Sequence, residues 1–343
     1  MINELFMKRA LNLAILGSGR VSPNPMVGCV IVHDNKVIGE GYHMRYGEGH
    51  AEVNAIASVE DQSLLSHSTL YVTLEPCSHF GKTPPCADLI IANKIPKVVV
   101  ACEDPNPLVA GKGIKKLKEA GIEVEVGIMQ KEASWLNRRF FTFQKQKRPY
   151  VILKWAQTAD GFIARENYDS KWISNEYSRK IVHKWRAEED AVMVSYKTAL
   201  YDNPCLNVRD WTGRNPLRIV VDKYLQLPDN HNILDGTQKT IVFNYLENKT
   251  TGDIRYVKIG EEKQIEEILF NLYESKIMSV IIEGGSIFLQ KFIAKGLWDE
   301  ARIFEAEKTF GSGIKAPDIS GQLLEKEDIL GDTLKILKNQ DIN

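Results

Sequence analysis

An imidazole, a carboxyl and two thiols stand at three predicted segment ends, and few folds can bring such a set to one point. His50-Ala51-Glu52 opens a predicted helix, Pro76-Cys77 follows a predicted strand over 69–74, and Pro84-Pro85-Cys86 opens the next helix. Taken singly, His50 reads as a surface histidine, Glu52 as a first-turn acid favoured by the helix dipole, and the cysteines as small buried hydrophobes. Taken together they are the donor set of a catalytic zinc, which takes three imidazole and thiolate ligands and leaves its fourth tetrahedral position to water. His50, Cys77 and Cys86 are the candidate ligands. Glu52, two residues beyond the first, is the candidate catalytic residue, placed to take a proton from that water and hand it to a leaving amine.

The surrounding pattern alternates helix and strand. An amphipathic run over 4–16 ends at Gly17, and strands over 27–32 and 36–39 flank a hairpin turn at Asp34-Asn35. Beyond Cys86 the order is strand 97–101, helix 112–120 and strand 122–126. The polar stretch Gln144-Lys145-Gln146-Lys147-Arg148-Pro149 interrupts this order before the apolar strand 150–155, and a chain of 343 residues calls for two cores. Two α/β domains are expected, 1–147 and 148–343. In the second, helices over 175–188, 261–274 and 286–295 alternate with strands over 191–195, 217–222 and 278–283, and the polar end after Leu337 is expected to fray.

The strand 278–283 runs through Glu283-Gly284-Gly285-Ser286 into a helix. Paired glycines before a helix start let backbone amides approach an anion, although the same pair is also an ordinary tight turn. The spacing lacks the six-position dinucleotide fingerprint, so a Rossmann fold is not expected.

The first-half motif resembles the zinc-dependent cytidine-deaminase superfamily, in which a His-x-Glu element precedes a Pro-Cys element and a second cysteine. The long insert between Cys77 and Cys86, the preceding Leu74-Glu75-Pro76, Pro23-Asn24-Pro25, Val27-Gly28-Cys29-Val30 and Asp104-Pro105-Asn106-Pro107 are similar to the riboflavin-pathway deaminase. In the second half, Lys154-Trp155-Ala156-Gln157, Ser170-Lys171-Trp172 and Asp202-Asn203-Pro204 resemble the riboflavin-pathway reductase, a relative of the dihydrofolate reductase fold. The resemblance therefore implies a cytidine-deaminase-like three-layer α/β/α domain followed by a dihydrofolate-reductase-like α/β domain, both of the bifunctional deaminase/reductase family of riboflavin biosynthesis.

It further implies zinc and NADPH as cofactors and a phosphorylated ribosylaminopyrimidine as the small-molecule substrate, deaminated first and then reduced from ribosyl to ribityl. Ala156, Trp172, Thr198, Asp202, Gly285 and Ser286 are implied at the cofactor, and Ser170, Arg186, Leu206, Arg209 and Glu283 at the sugar phosphate. Asn24, His43, His79, Lys82 and Asn106 are the candidates around the pyrimidine substrate. A homo-oligomer through the reductase domain is the family expectation.

Composition limits the alternatives. A net charge of −1, with 44 basic and 45 acidic residues, offers no global field for nucleic acid. The start lacks a secretory pattern and no apolar run is long enough to span a bilayer, so the cytoplasm is expected and no membrane partner. The five cysteines, in a reducing compartment, are expected to stay unpaired. Three readings stay open: a nucleic-acid base deaminase with a non-catalytic C-terminal binding domain, an active deaminase with an inactive reductase, and a structural zinc site closed by His79.

Overall fold

The computed structural model describes residues 2–80, 84–106 and 109–340, so the candidate Lys82 lies outside the described residues. The chain divides into two compact units, Met1–Lys147 and Arg148–Asn343.

The first unit begins with α1 (Ile2–Ile15), whose buried Phe6, Met7, Ala10, Leu11 and Ala14 recur at helical spacing. Strands β1 (Gly28–His33) and β2 (Lys36–Tyr42) form an antiparallel hairpin. Asp34 and Asn35 at its tip take φ of 48° and 57°, the left-handed pair that a tight turn between twisted strands demands. Then follow α2 (Ala51–Ala57), β3 (Thr69–Val72), α3 (Cys86–Ala92), β4 (Lys97–Val100), α4 (Lys112–Glu119), β5 (Glu123–Val126), α5 (Gln130–Leu136) and α6 (Arg138–Gln146).

The sheet order is β2-β1-β3-β4-β5, with β3, β4 and β5 parallel. Because side chains alternate across a strand, Cys29 and Ile31, Leu70 and Val72, and Val98 and Val100 share one face and meet Ala55 and Ile56 of α2, Ile90 of α3 and Leu117 of α4. On the opposite face Tyr71 meets Phe6 of α1, ring centroids 5.3 Å apart. This is the expected three-layer α/β/α arrangement. Gly28 sits where α1 crosses the sheet: a Cβ there would fall 1.9 Å from the Ala10 carbonyl oxygen.

The second unit contains β6 (Tyr150–Thr158), β7 (Phe162–Ala164), α7 (Glu176–Glu188), β8 (Ala191–Ser195), α8 (Tyr196–Asp202), β9 (Leu217–Val221), β10 (Thr240–Asn244), β11 (Lys249–Thr251), β12 (Ile254–Lys258), α9 (Gln264–Glu274), β13 (Ser279–Ile282), α10 (Ser286–Ala294), β14 (Glu300–Ala306), β15 (Ile314–Lys315), β16 (Gln322–Ile329) and β17 (Asp332–Lys338). Its main sheet has ten strands in the order β11-β12-β10-β9-β8-β13-β6-β14-β17-β16. The seven from β12 to β14 run parallel. The other three lie antiparallel to their neighbours.

Val151, Leu153 and Trp155 of β6 pack toward α9 and α10, through Ile268, Leu272, Phe288 and Phe292. Tyr150 and Ile152 point the other way, toward Val182 and Trp185 of α7. Helices thus cover both faces, which leaves the C-terminal ends of the parallel strands as the place for a ligand. The strand content beyond the sequence expectation is β7, β10 to β12 and β14 to β17. The chain end also departs from expectation. Asn339 is buried, and its side-chain amide donates to the Trp298 carbonyl at 2.9 Å, so order extends past Leu337.

All five cysteines are free. Among the described residues no helix is long and apolar enough to cross a membrane.

Candidate functional sites

In the first unit three segment ends converge. His50 is the residue before α2, Cys86 begins α3, and Cys77 lies beyond β3. His50 Nδ1 is 3.6 Å from Cys77 Sγ and 3.3 Å from Cys86 Sγ, and the three donor atoms all lie within 4.8 Å of one another. The donor set is borderline-soft, two sulfurs and one imidazole nitrogen, and fits zinc. Among the described residues no fourth His, Cys, Asp or Glu joins the group; His79 lines the adjoining cavity instead, which removes the ground for a closed structural site. The Cys86 amide donates to Cys77 Sγ at 3.3 Å. Hydrogen bonding from the Cys86 thiol draws Cys77 down to about 4, while the same contact and burial push Cys86 up. One thiolate is thus already favoured, and metal binding takes the second proton.

Glu52, in the first turn of α2, is 3% exposed. Burial, reinforced by Cys77, raises its carboxyl to about 7, so it can both take and give a proton near neutrality. A cavity of about 330 Å³ opens beside it, and Asn24, His43, His50, Glu52, Cys77, His79 and Asn106 all line that space. Cys86 is absent from the lining and fully buried.

His43 is fixed by its neighbours. Its Nδ1–H donates to the Gly49 carbonyl at 3.1 Å, which leaves Nε2 to accept from the Asn24 amide at 3.1 Å. Burial lowers its pKa, consistent with a neutral ring. Asp104, Phe140 and Gln144 line this cavity without having been singled out as site candidates from sequence, and so does Glu75. Asp104 stood inside the quoted Asp-Pro-Asn-Pro motif; burial raises its carboxyl to about 6.

In the second unit a cavity of about 640 Å³ lies at the C-terminal strand ends, reached by Ala156 of β6, Val194 and Ser195 of β8, Val221 of β9 and Glu283 after β13. All eleven residues expected at the cofactor or sugar phosphate line it: Ala156, Ser170, Trp172, Arg186, Thr198, Asp202, Leu206, Arg209, Glu283, Gly285 and Ser286. Gly284 has φ of 132°, a conformation open to glycine, and a Cβ on it would meet Thr198 Oγ1 at 3.3 Å. Gly285 is the residue before α10, and its N–H donates to Ser195 Oγ at 3.2 Å.

The floor of this cavity is ionic. Arg186 donates to Glu283 through two bonds of 2.7 Å each, and Lys154 Nζ lies 3.9 Å from the same carboxylate. Burial raises Glu283, but Arg186 and Lys154 outweigh it and hold the carboxyl at about 2. Ser170 Oγ donates to Asp202 Oδ1 at 3.0 Å. Trp172 is 60% exposed at the rim, with the Arg179 guanidinium 4.6 Å from its ring centre. Arg209 keeps a half-exposed side chain, and its backbone N–H donates to His183 Nδ1 at 3.4 Å. Lys154 and His183 were not singled out as site candidates from sequence; the one available signal was the charge of Lys154 inside the apolar strand 150–155.

Comparison with known proteins covers both units. The sequence profile for the cytidine and deoxycytidylate deaminase zinc-binding region matches residues 1–102, and that for the RibD C-terminal domain matches residues 149–339. The riboflavin biosynthesis protein RibD of Aquifex aeolicus is 43% identical over 331 residues, covering 95% of this chain and 92% of that protein. RibD of Bacillus amyloliquefaciens is 40% identical, covering 94% and 89%. The crystal structure of a diaminohydroxyphosphoribosylaminopyrimidine deaminase/5-amino-6-(5-phosphoribosylamino)uracil reductase from Thermotoga maritima superposes with a TM-score of 0.91 at 38% identity, covering 98% of this chain and 99% of that one.

Proposed function

From the premise that the chain belongs to the RibD family, and is a bifunctional deaminase and reductase of riboflavin biosynthesis, we propose how its own residues divide the work. The first cavity takes 2,5-diamino-6-ribosylamino-4(3H)-pyrimidinone 5′-phosphate and replaces a ring amine with oxygen. His50, Cys77 and Cys86 hold zinc, which supplies Lewis acidity toward a water molecule. Glu52 takes the proton released as the water oxygen bonds to the ring carbon, then gives it to the amine, which leaves as ammonia. Asn24 and His43 form a fixed polar edge for the pyrimidine, and Asn106, His79 and Lys82 complete the substrate contacts. The observation that carries this reading is the buried Glu52 beside three converging zinc donors.

The second cavity reduces the deaminated product. A nicotinamide cofactor bound here would supply a hydride to the anomeric carbon of the open-chain imine, and a proton from solvent would complete the amine at nitrogen. Thr198, Asp202, Gly285 and Ser286, with Ala156 and Trp172, form the cofactor side. Ser170, Leu206, Arg209 and the Arg186–Glu283 pair form the sugar-phosphate side. NADPH rather than NADH is supported by Lys223 and Lys291, which line the same cavity. Burial and then the Lys223 charge lower the Lys291 ammonium against the opposing effect of Glu261, so the two cations repel in the free protein. A 2′-phosphate between them removes that repulsion. A homo-oligomer through the second unit is supported by the exposed edge strand β16, on which Leu323 is 53% exposed. Five free thiols support a cytoplasmic setting.

The test is product analysis by mass spectrometry with and without NADPH. The deaminated ribosyl compound without NADPH, and the ribityl compound with it, are the expected outcomes. Glu52→Gln that keeps one equivalent of zinc yet releases ammonia at the wild-type rate refutes the assigned proton carrier.

A further inference from the structure

A carboxylate removed from water is costly unless donors surround it, and in the first unit Glu75 is 4% exposed. Four backbone N–H groups converge on it. Asp104 and Gly111 donate to Oε2 at 3.2 and 2.9 Å, and Gly113 and Ile114 donate to Oε1 at 2.9 and 3.2 Å. Two of these donors lie in the first turn of α4, where N–H groups have no helical partner and a negative charge is favoured. The approach is close: a Cβ on Gly113 would fall 1.9 Å from the Pro76 carbonyl oxygen, so glycine is required for the helix start to reach the 75–77 segment. The Glu75 backbone N–H in turn donates to the Cys102 carbonyl at 3.0 Å.

The same side chain therefore joins two pieces of the deaminase cavity. Cys77, a proposed zinc ligand, lies two residues downstream of Glu75. Asp104, Asn106 and Val109, which the carboxylate holds through the backbone on both sides of them, line the cavity wall. Inside that stretch the Asp104 carboxylate accepts from the Asn106 N–H at 2.8 Å, and the Asn106 carbonyl accepts from Val109 and Ala110 at 2.8 and 2.9 Å. These contacts tie residues 104 and 106 to 109 and 110, and the Glu75 carboxylate anchors them at Asp104 and Gly111.

We propose that Glu75 is a positioning residue for the deaminase, holding the Asp104–Asn106 wall in register with the Cys77 segment through its four backbone hydrogen bonds. The inference rests on the deaminase reading of this cavity and adds Glu75, which borders it and whose two carboxylate oxygens are taken up by backbone N–H groups. A purely structural role would alter stability and leave substrate affinity alone. A positioning role alters affinity at constant metal content.

Glu75→Gln separates the two, because the amide keeps the size but turns one acceptor oxygen into a donor facing two N–H groups. In the zinc-loaded full-length variant the expected result is faster hydrogen exchange at Gly111, Gly113 and Ile114. It should come with a rise in KM for the pyrimidine phosphate of about tenfold or more, and a change in kcat within about threefold. NADPH oxidation on the deaminated compound stays at the wild-type level. In a double-mutant cycle with Asn106→Ala the effects on kcat/KM are non-additive, since both act through one wall. An unchanged KM beside faster exchange overturns the proposal in favour of a structural role, and unchanged exchange overturns it outright. If Glu75→Gln does not fold, Glu75→Asp keeps the charge and withdraws it by one methylene; a wild-type KM in that variant also overturns the proposal. Absence of ammonia release by the wild-type protein is a separate outcome and refutes the deaminase reading, while the exchange result still reports on the carboxylate.

Discussion

Replacing Glu283 with Gln tests whether the ionic floor of the second cavity also carries stability. In the native unit the Glu283 side chain is 7% exposed and that of Arg186 11%, joined by two bonds of 2.7 Å, with Lys154 at 3.9 Å. The substitution leaves two buried cations without their counter-charge. Removing one partner of a buried pair costs about 3–5 kcal/mol. The lowering of the Glu283 carboxyl by its cationic neighbours implies a similar size. The carboxyl is held at about 2 against an ordinary 4.5, which corresponds to about 3 kcal/mol at neutral pH.

The sign follows from which state binds the proton first. Above pH 4.5 the carboxyl is charged in both folded and unfolded chains and the pair contributes in full. As pH falls from 4.5 toward 2 the unfolded chain takes up the proton before the folded one does, and the contribution drains away. Equilibrium denaturation followed by tryptophan fluorescence is suited to the measurement, because Trp155, Trp172, Trp185, Trp211 and Trp298 lie in the second unit and only Trp135 in the first. Glu283→Gln is expected to lower the stability of the second unit by about 3 kcal/mol at pH 7, with the gap from wild type narrowing below pH 4.5. A loss under about 1 kcal/mol, or a gap that stays constant down to pH 3, refutes the reasoning.

Other consequences can be measured on the same protein. Chelation of zinc abolishes ammonia release and leaves NADPH oxidation on the deaminated compound intact, as read by parallel colorimetric and absorbance assays; loss of both activities contradicts independent sites. Gly28→Ala forces α1 away from β1, since its Cβ would lie 1.9 Å from the Ala10 carbonyl oxygen, and is expected to destabilise the first unit by about 1–3 kcal/mol by thermal melting. Lys223→Glu together with Lys291→Glu lowers the preference for NADPH over NADH by about a hundredfold, read as dissociation constants by fluorescence titration; equal preference in wild type and variant rules out the 2′-phosphate contact.

The features legible from sequence are those with local causes. Asp34-Asn35 announced a hairpin because left-handed turns favour those residues, and His50, Glu52, Cys77 and Cys86 announced a metal site because their chemistry is restrictive. Strand β16 was missed because its sequence, Gln322–Ile329, is almost wholly exposed and has no alternating apolar face to read. Glu75 and His183 were missed as site residues for a different reason. Their roles depend on backbone N–H groups supplied by distant segments, at Asp104 and Gly111 to Ile114 for one and Arg209 for the other, and no pattern near either residue records those partners.

The strand order of the second unit bears on how the chain is made. β6, the unit's first strand, is flanked by β13 and β14, so a ribosome must deliver residues 279–306 before the centre of that sheet can close. The first unit draws its whole five-stranded sheet from residues 28–126 and is free to fold long before that point. During synthesis the nascent chain therefore passes through a stage in which a finished first unit trails the strand Tyr150–Thr158 with neither neighbour yet available, apolar and unpaired along both edges. Ribosome stalling or premature termination in the region 160–278 holds the chain at that stage, which makes this stretch of translation the window of greatest exposure to aggregation and to chaperone capture.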